Sequence, residues 1–131
     1  MSRNPSRPVS PHLSVWRWAP NMLVSILHRV TGGALTFAGL ALLTWWLIAI
    51  AGTADDYATF TTVATSPVGL IVLVGLSWAF FQHTFSGLRH LVMDIGAGYE
   101  LGTNRMMSIA TIVASLVATA LLWVTLLGVG R

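Results

Sequence analysis

From Gly32 to Ile50 the chain carries no charged residue, and as a helix rising about 1.5 Å per residue this run reaches roughly 28 Å, close to the thickness of a bilayer's hydrocarbon core. In lipid every backbone N–H and C=O must find its partner within the segment, which leaves helix as the conformation for an isolated run of this length. Composition carries the inference to the whole chain. With 55% hydrophobic and 8% charged residues over 131 positions and a mean hydropathy of +0.75, there is too little polar side chain to cover a soluble surface. The expected fold class is an all-α membrane protein with three transmembrane helices.

The first helix is expected at about 20–51, opened by Pro20 at a first-turn position and closed by Trp45 and Trp46 near the far interface. Ser66-Pro67 reads as the cap and first turn of a second helix to about residue 95, and a third is expected at about 105–129. Ala51 to Ser66 and Gly96 to Asn104 read as loops, and Gly32-Gly33 as a place for a kink or close packing. Residues 1–19 hold Pro5, Pro8 and Pro11 with Trp16 and Trp18. That stretch is expected to be an extended interfacial arm ahead of the three-helix anchor at 20–131.

All seven basic residues are arginines, and Arg3, Arg7, Arg17, Arg29, Arg89 and Arg105 fall on the side shared by the N-terminus and the second loop. By the positive-inside rule this side is expected in the cytoplasm and the C-terminus in the periplasm. Their scatter gives nucleic-acid binding no support. The chain has no cysteine, which excludes disulfides and cysteine-held iron–sulfur clusters, and no glycine fingerprint for a nucleotide.

Chemistry concentrates at one end of the predicted bundle. His83, Gly87, His90 and Asp94 lie at i, i+4, i+7 and i+11 on one face of the second helix, with His83 about 16 Å along the axis from Asp94. Ser25, His28, Arg29 and Gly32 lie at i, i+3, i+4 and i+7 on the first helix, which enters from the same surface. Polar groups at membrane depth are costly and normally face a partner, a cofactor or water, so two polar faces are expected to look inward here.

A buried histidine followed four residues later by glycine supplies what a b-type haem needs, an imidazole for iron and clearance beside it where Gly87 lacks a Cβ. The other imidazole nitrogen is expected to be oriented by a carbonyl one turn back, near Ala79. His90 lies about 10.5 Å along the same helix, so a second axial ligand must come from another helix or chain. The alternative for His83 is a hydrogen bond across a helix interface. Ser25 and Arg29 suit the carbonyls of a quinone gaining electrons, and His28 with Arg29 suits haem propionates. The alternative is an Arg29 that snorkels to headgroups and a Ser25 that bonds its own helix. Asp94 is expected to pair with Arg89 or Arg105, with proton relay as the second option, and His12 to make a surface contact.

Three segments then carry a resemblance. Arg7-Pro8-Val9-Ser10-Pro11-His12-Leu13, Ser25-Ile26-Leu27-His28-Arg29-Val30-Thr31-Gly32 and His83-Thr84-Phe85-Ser86-Gly87-Leu88-Arg89-His90-Leu91-Val92-Met93-Asp94 resemble, in order, the cytochrome b subunit of succinate dehydrogenase, the larger membrane anchor of complex II. The resemblance implies a heteromeric helical bundle in which this chain and a sister anchor share one haem b. By motif match His83 is the axial ligand, Ser25 and Arg29 belong to the ubiquinone pocket, and His28 with Arg29 lies near the propionates. His90 and Asp94 carry over weakly, as relay or structural residues. FAD and iron–sulfur clusters belong to the flavoprotein and iron–sulfur partner subunits, so this chain has no succinate-oxidising site. Because the match opens at Arg7, a bacterial inner membrane is expected rather than a mitochondrial one. Rival expectations are a haem-free fumarate reductase anchor and a structural tether or proton-relay transporter subunit.

Overall fold

The computed structural model describes residues 17–129. The arm ahead of Arg17, including His12 and Trp16, lies outside them. Five helices follow in order: α1 (Pro20–Ala34), α2 (Leu40–Ala51), α3 (Ala54–Ala64), α4 (Pro67–Asp94) and α5 (Leu101–Val129). A single π turn, Leu35–Gly39, joins α1 to α2 without a break, so the first span runs from Pro20 to Ala51. With Pro67–Asp94 and Leu101–Gly128, three helices are long and apolar enough to cross a membrane.

The expected loop after the first span is instead α3, and its cause is local. Thr53 Oγ1 accepts from the Asp56 backbone N–H at 3.2 Å while Asp56 Oδ2 accepts from the Thr53 N–H at 2.8 Å. This reciprocal cap satisfies two otherwise orphaned donors and starts a helix that composition alone does not announce. Edge-to-face packing of Phe60 on Trp45, with centroids 5.0 Å apart, folds α3 back against α2. The turn into α4 is tight: a Cβ on Gly69 would run into the carbonyls of Val63 and Ala64. Ser66 then caps α4, its Oγ accepting from the Gly69 N–H at 3.1 Å. Gly96, at φ +85°, turns the chain out of α4 in the left-handed region open to glycine, and α5 starts at Leu101, four residues ahead of expectation.

Side-chain polarity is inverted relative to a soluble domain. Phe37, Ile48, Ile71, Leu121 and Val124 are exposed, whereas the buried positions include Thr31, Gln82, Ser86, Arg89, Ser108, Thr111, Ser115 and Thr119. Lipid is as apolar as leucine, so apolar side chains gain nothing by turning inward and small or hydrogen-bonding residues take the seams. Along α5 this gives Ser108, Thr111, Ser115 and Thr119, one stripe at helical spacing facing the bundle. As expected for hydroxyls on a helix, Ser108 donates to the Asn104 carbonyl at 2.7 Å and Thr119 to that of Ser115 at 2.7 Å.

Candidate functional site

The seam between α1 and α4 holds three imidazoles. His28 on α1 lies flat against His83 on α4, with ring centroids 4.0 Å apart and planes 8° from parallel. His90, two turns further along α4, meets His28 edge-on at 5.0 Å. All three are half-buried.

Each of the two stacked rings is held by the opposite helix. His28 Nδ1 lies 2.7 Å from Ser86 Oγ on α4. The Ser86 hydroxyl also reaches the Gln82 carbonyl of its own helix at 2.7 Å; with its one proton there, its oxygen accepts from His28 Nδ1–H. His83 Nδ1 lies 3.1 Å from the carbonyl oxygen of His28 and 3.3 Å from Thr31 Oγ1, both on α1. A carbonyl only accepts, so this nitrogen carries the hydrogen. Thr31 spends its own proton on the Leu27 carbonyl at 2.7 Å, which leaves its oxygen as a second acceptor for the same N–H. His83 Nε2 is thereby the nitrogen with a free lone pair, able to accept a hydrogen bond or to ligate a metal.

This corrects the expectation that a carbonyl near Ala79 orients His83. In a continuous helix the carbonyl one turn back is engaged with its own ladder, and the side chain of His83 leaves α4 toward α1. The glycine in contact with that ring is Gly32, for which sequence allowed only a kink or close packing. A Cβ there would sit 2.9 Å from His83 Cε1, inside van der Waals contact. Gly87 is looser, since a Cβ on it would meet His28 Cε1 at 3.7 Å.

The other expected residues divide. Ser25 is half-buried one turn before His28, and Arg29 is exposed, so the polar face of α1 is not wholly turned into this chain's own bundle. Asp94 ends α4 exposed. The expected pairing of Asp94 with Arg89 does not form, because five residues along a helix place the two about 140° apart. Arg89 turns into the α4–α5 seam, where Nη2 donates to Asn104 Oδ1 at 2.8 Å and only 6% of the residue is exposed.

Sequence reasoning missed Thr31, Ser86, Gln82 and Asn104. A signal was present for the first two: each is a hydroxyl three residues after a histidine, at 28→31 and 83→86, which places it beside that histidine on the same helix face.

The motifs on these two helices can be set against known proteins. The profile of the succinate dehydrogenase/fumarate reductase transmembrane subunits matches residues 3–122. The chain belongs to that family. It is 41% identical over 116 residues to the succinate dehydrogenase cytochrome b556 subunit of Paracoccus denitrificans, covering 88% of each chain. Against the protein of the same name from Rickettsia felis it is 41% identical over 118 residues, covering 90% of this chain and 91% of the relative. The mitochondrial cytochrome b560 subunit of Bos taurus is 30% identical over 116 residues, covering 87% of this chain and 68% of its own. This family member is thus a multi-pass membrane anchor whose histidine-bearing helices are α1 and α4.

Proposed function

We propose that the chain is the cytochrome b anchor of a succinate dehydrogenase, sharing one haem b with a second membrane anchor and forming part of the site at which ubiquinone is reduced. The observation that carries this is the state of His83: Nδ1–H engaged by α1 and Nε2 left for a ligand. An imidazole held this way is a competent axial ligand, since the hydrogen bond on one nitrogen fixes the ring and raises the basicity of the other. The absent Cβ atoms of Gly32 and Gly87 leave the room that the His83 and His28 rings occupy. A haem held by His83 together with a histidine of the second anchor would supply a one-electron store rather than oxygen chemistry.

The remaining residues have definable tasks. Arg29, exposed at the seam's edge, carries a permanent charge that stabilises a carbonyl oxygen as it gains electrons. Ser25 adds a hydroxyl donor one turn away, and together they bind and orient the quinone headgroup. Arg29 does not release its proton, so water or an acid completes the reduction. His28 with Arg29 pairs with the propionate carboxylates, and His90 and Asp94 serve as relay or structural residues toward the surface. Flavin and iron–sulfur centres lie in a flavoprotein and an iron–sulfur partner. The distribution of arginines supports an orientation with the N-terminus cytoplasmic and the C-terminus periplasmic, and the bacterial relatives support a bacterial inner membrane as its home. The haem-free anchor of a fumarate reductase shares the fold, but it has no use for an oriented imidazole with a free nitrogen at this depth.

The test is a reduced-minus-oxidised spectrum of the purified complex. His83→Ala is expected to abolish the low-spin b-type spectrum, and an unchanged spectrum overturns the assignment. For the quinone site, Ser25→Ala and Arg29→Ala are expected to cut succinate:quinone activity by roughly tenfold or more, on the scale of losing one charge-stabilising donor. Succinate oxidation by a soluble dye should persist in both. Parallel loss of the two activities in an assembled complex refutes it.

A further inference from the structure

Thr31 is the most deeply buried residue of α1 besides Val24, at 1% exposure, yet it is polar. In most helices such a threonine does no more than return its hydroxyl to the backbone, as this one does to Leu27 at 2.7 Å and, more loosely, to His28 at 3.2 Å. Here the same oxygen also stands 3.3 Å from His83 Nδ1. Gly32, the next residue, brings the α1 backbone close enough that a single added carbon would strike the same imidazole. Thr31, Gly32 and the His28 carbonyl thus close on one side of the ring from a helix that is not its own.

We infer that Thr31 is a positioning residue for His83: with the His28 carbonyl it forms a two-acceptor clasp on Nδ1–H that fixes the ligating nitrogen as Nε2 and sets its electron density. The inference rests on the reading of His83 as the axial ligand. Its physical content is separate. The His28 carbonyl lies within reach of its own helical ladder and of the Thr31 hydroxyl, so it is a shared acceptor, whereas the Thr31 oxygen has already committed its proton elsewhere and has lone pairs to give. Removing that oxygen leaves Nδ1–H with the shared acceptor alone. The imidazole then donates less electron density through Nε2, the oxidised iron is less well stabilised, and the potential rises. Ring orientation loosens with it.

The experiment compares the whole complex with Thr31→Val, which keeps shape and removes the oxygen, Thr31→Ala, which removes it without any added bulk, and Thr31→Ser, which restores it. The expected result is a higher haem midpoint potential in Val and Ala, corresponding to roughly a tenfold change in the reduced-to-oxidised ratio, or about 59 mV for one electron. Low-spin ferric resonance positions should shift in the same two variants. Ser should match the parent in both readouts, and dye-linked succinate oxidation should be equal throughout. Should Val fail to assemble, Ala and Ser decide the matter. Unchanged potential and resonances in the oxygen-free variants overturn the clasp. Failure of the underlying reading has a different signature, namely a parent spectrum that survives His83→Ala.

Discussion

The two seams that α4 makes are both polar, and only one of them looks equipped for chemistry. Toward α1 it presents His83 and His90, half-buried rings whose edges remain reachable from outside the chain. Toward α5 it presents Gln82 and Arg89, which are enclosed: Gln82 shows no exposed surface and Arg89 only 6%. There Ser115 donates to Gln82 Oε1 at 2.8 Å and Arg89 to Asn104 at 2.8 Å. Burial of a polar group at membrane depth therefore does not by itself separate a site from a strut. What separates them is whether the group retains a free valence on a side that a ligand can approach. His83 Nε2 does, whereas Gln82 Nε2 is buried with no hydrogen-bond partner among the described residues.

The comparison breaks most visibly at the glycine against the ring. Gly32→Val drives a branched side chain into His83, where even a Cβ stands at 2.9 Å from Cε1, and the haem spectrum is expected to be lost or reduced to a small fraction. Ser115→Val puts a similar bulk into the other seam and should leave that spectrum intact while lowering thermal stability. Equal spectral loss in both variants would make the seams equivalent and dissolve the distinction. The second largest effect belongs to the strut. Asn104→Ala strips a buried guanidinium of its Nη2 acceptor, and a hydrogen bond to a charged group is worth about 2 kcal/mol. The complex should melt earlier, with haem potential and quinone kinetics unmoved.

A smaller effect measures how much the α4–α5 contacts contribute. A double-mutant cycle on Gln82→Leu and Ser115→Ala should return a coupling of about 0.6 kcal/mol, the average for side-chain hydrogen bonds between membrane helices. A value several times larger would mean that Gln82 Oε1 has no alternative partner in the unfolded helix.

How much of this was readable from the chain depended on what kind of signal each feature leaves. The three spans were legible because lipid imposes one secondary structure on an uncharged run, and their ends fell within a few residues. His28 and His83 were legible as candidates because ionisable groups are conspicuous among aliphatic ones. Their stacking was not, since periodicity fixes which face of a helix a residue occupies and says nothing of which face of another helix it meets. The same limit hid Thr31 behind His83, and it misdirected the orienting carbonyl to Ala79 because a single-helix argument has only its own helix to draw on. Arg89 was misassigned for a related reason: its sequence neighbour Asp94 was nearer in number than Asn104, which reaches it only after the chain turns at Gly96 and Gly98.

The smallest expected effect lies outside both seams, at the cap that turned an expected loop into α3. Thr53 holds Asp56 through its backbone N–H at 2.8 Å and its hydroxyl at 2.7 Å, and the backbone bond, followed by the side-chain bond, keeps the Asp56 carboxyl below its usual range. A carboxylate whose folded pKa is depressed adds stability in full above its unfolded value, near 3.9, and loses it as the pH falls through the lower folded value. The contribution of this cap is therefore constant from neutrality down to about pH 5 and disappears only in acid. Asp56 is solvent-exposed, so salt and water screen it and the change is confined to fraying of the first turn of α3. Thr53→Ala removes the hydroxyl half of the cap at every pH, at a cost of about 1 kcal/mol to that helix. Amide exchange across Ala54–Ala64 should quicken in this variant at pH 7 and in the parent only below about pH 4, while exchange at the α1–α4 seam stays unchanged. If seam exchange quickened too, α3 would be coupled to the histidines through the first span, and the separation between the chemical and structural halves of the molecule would have to be redrawn.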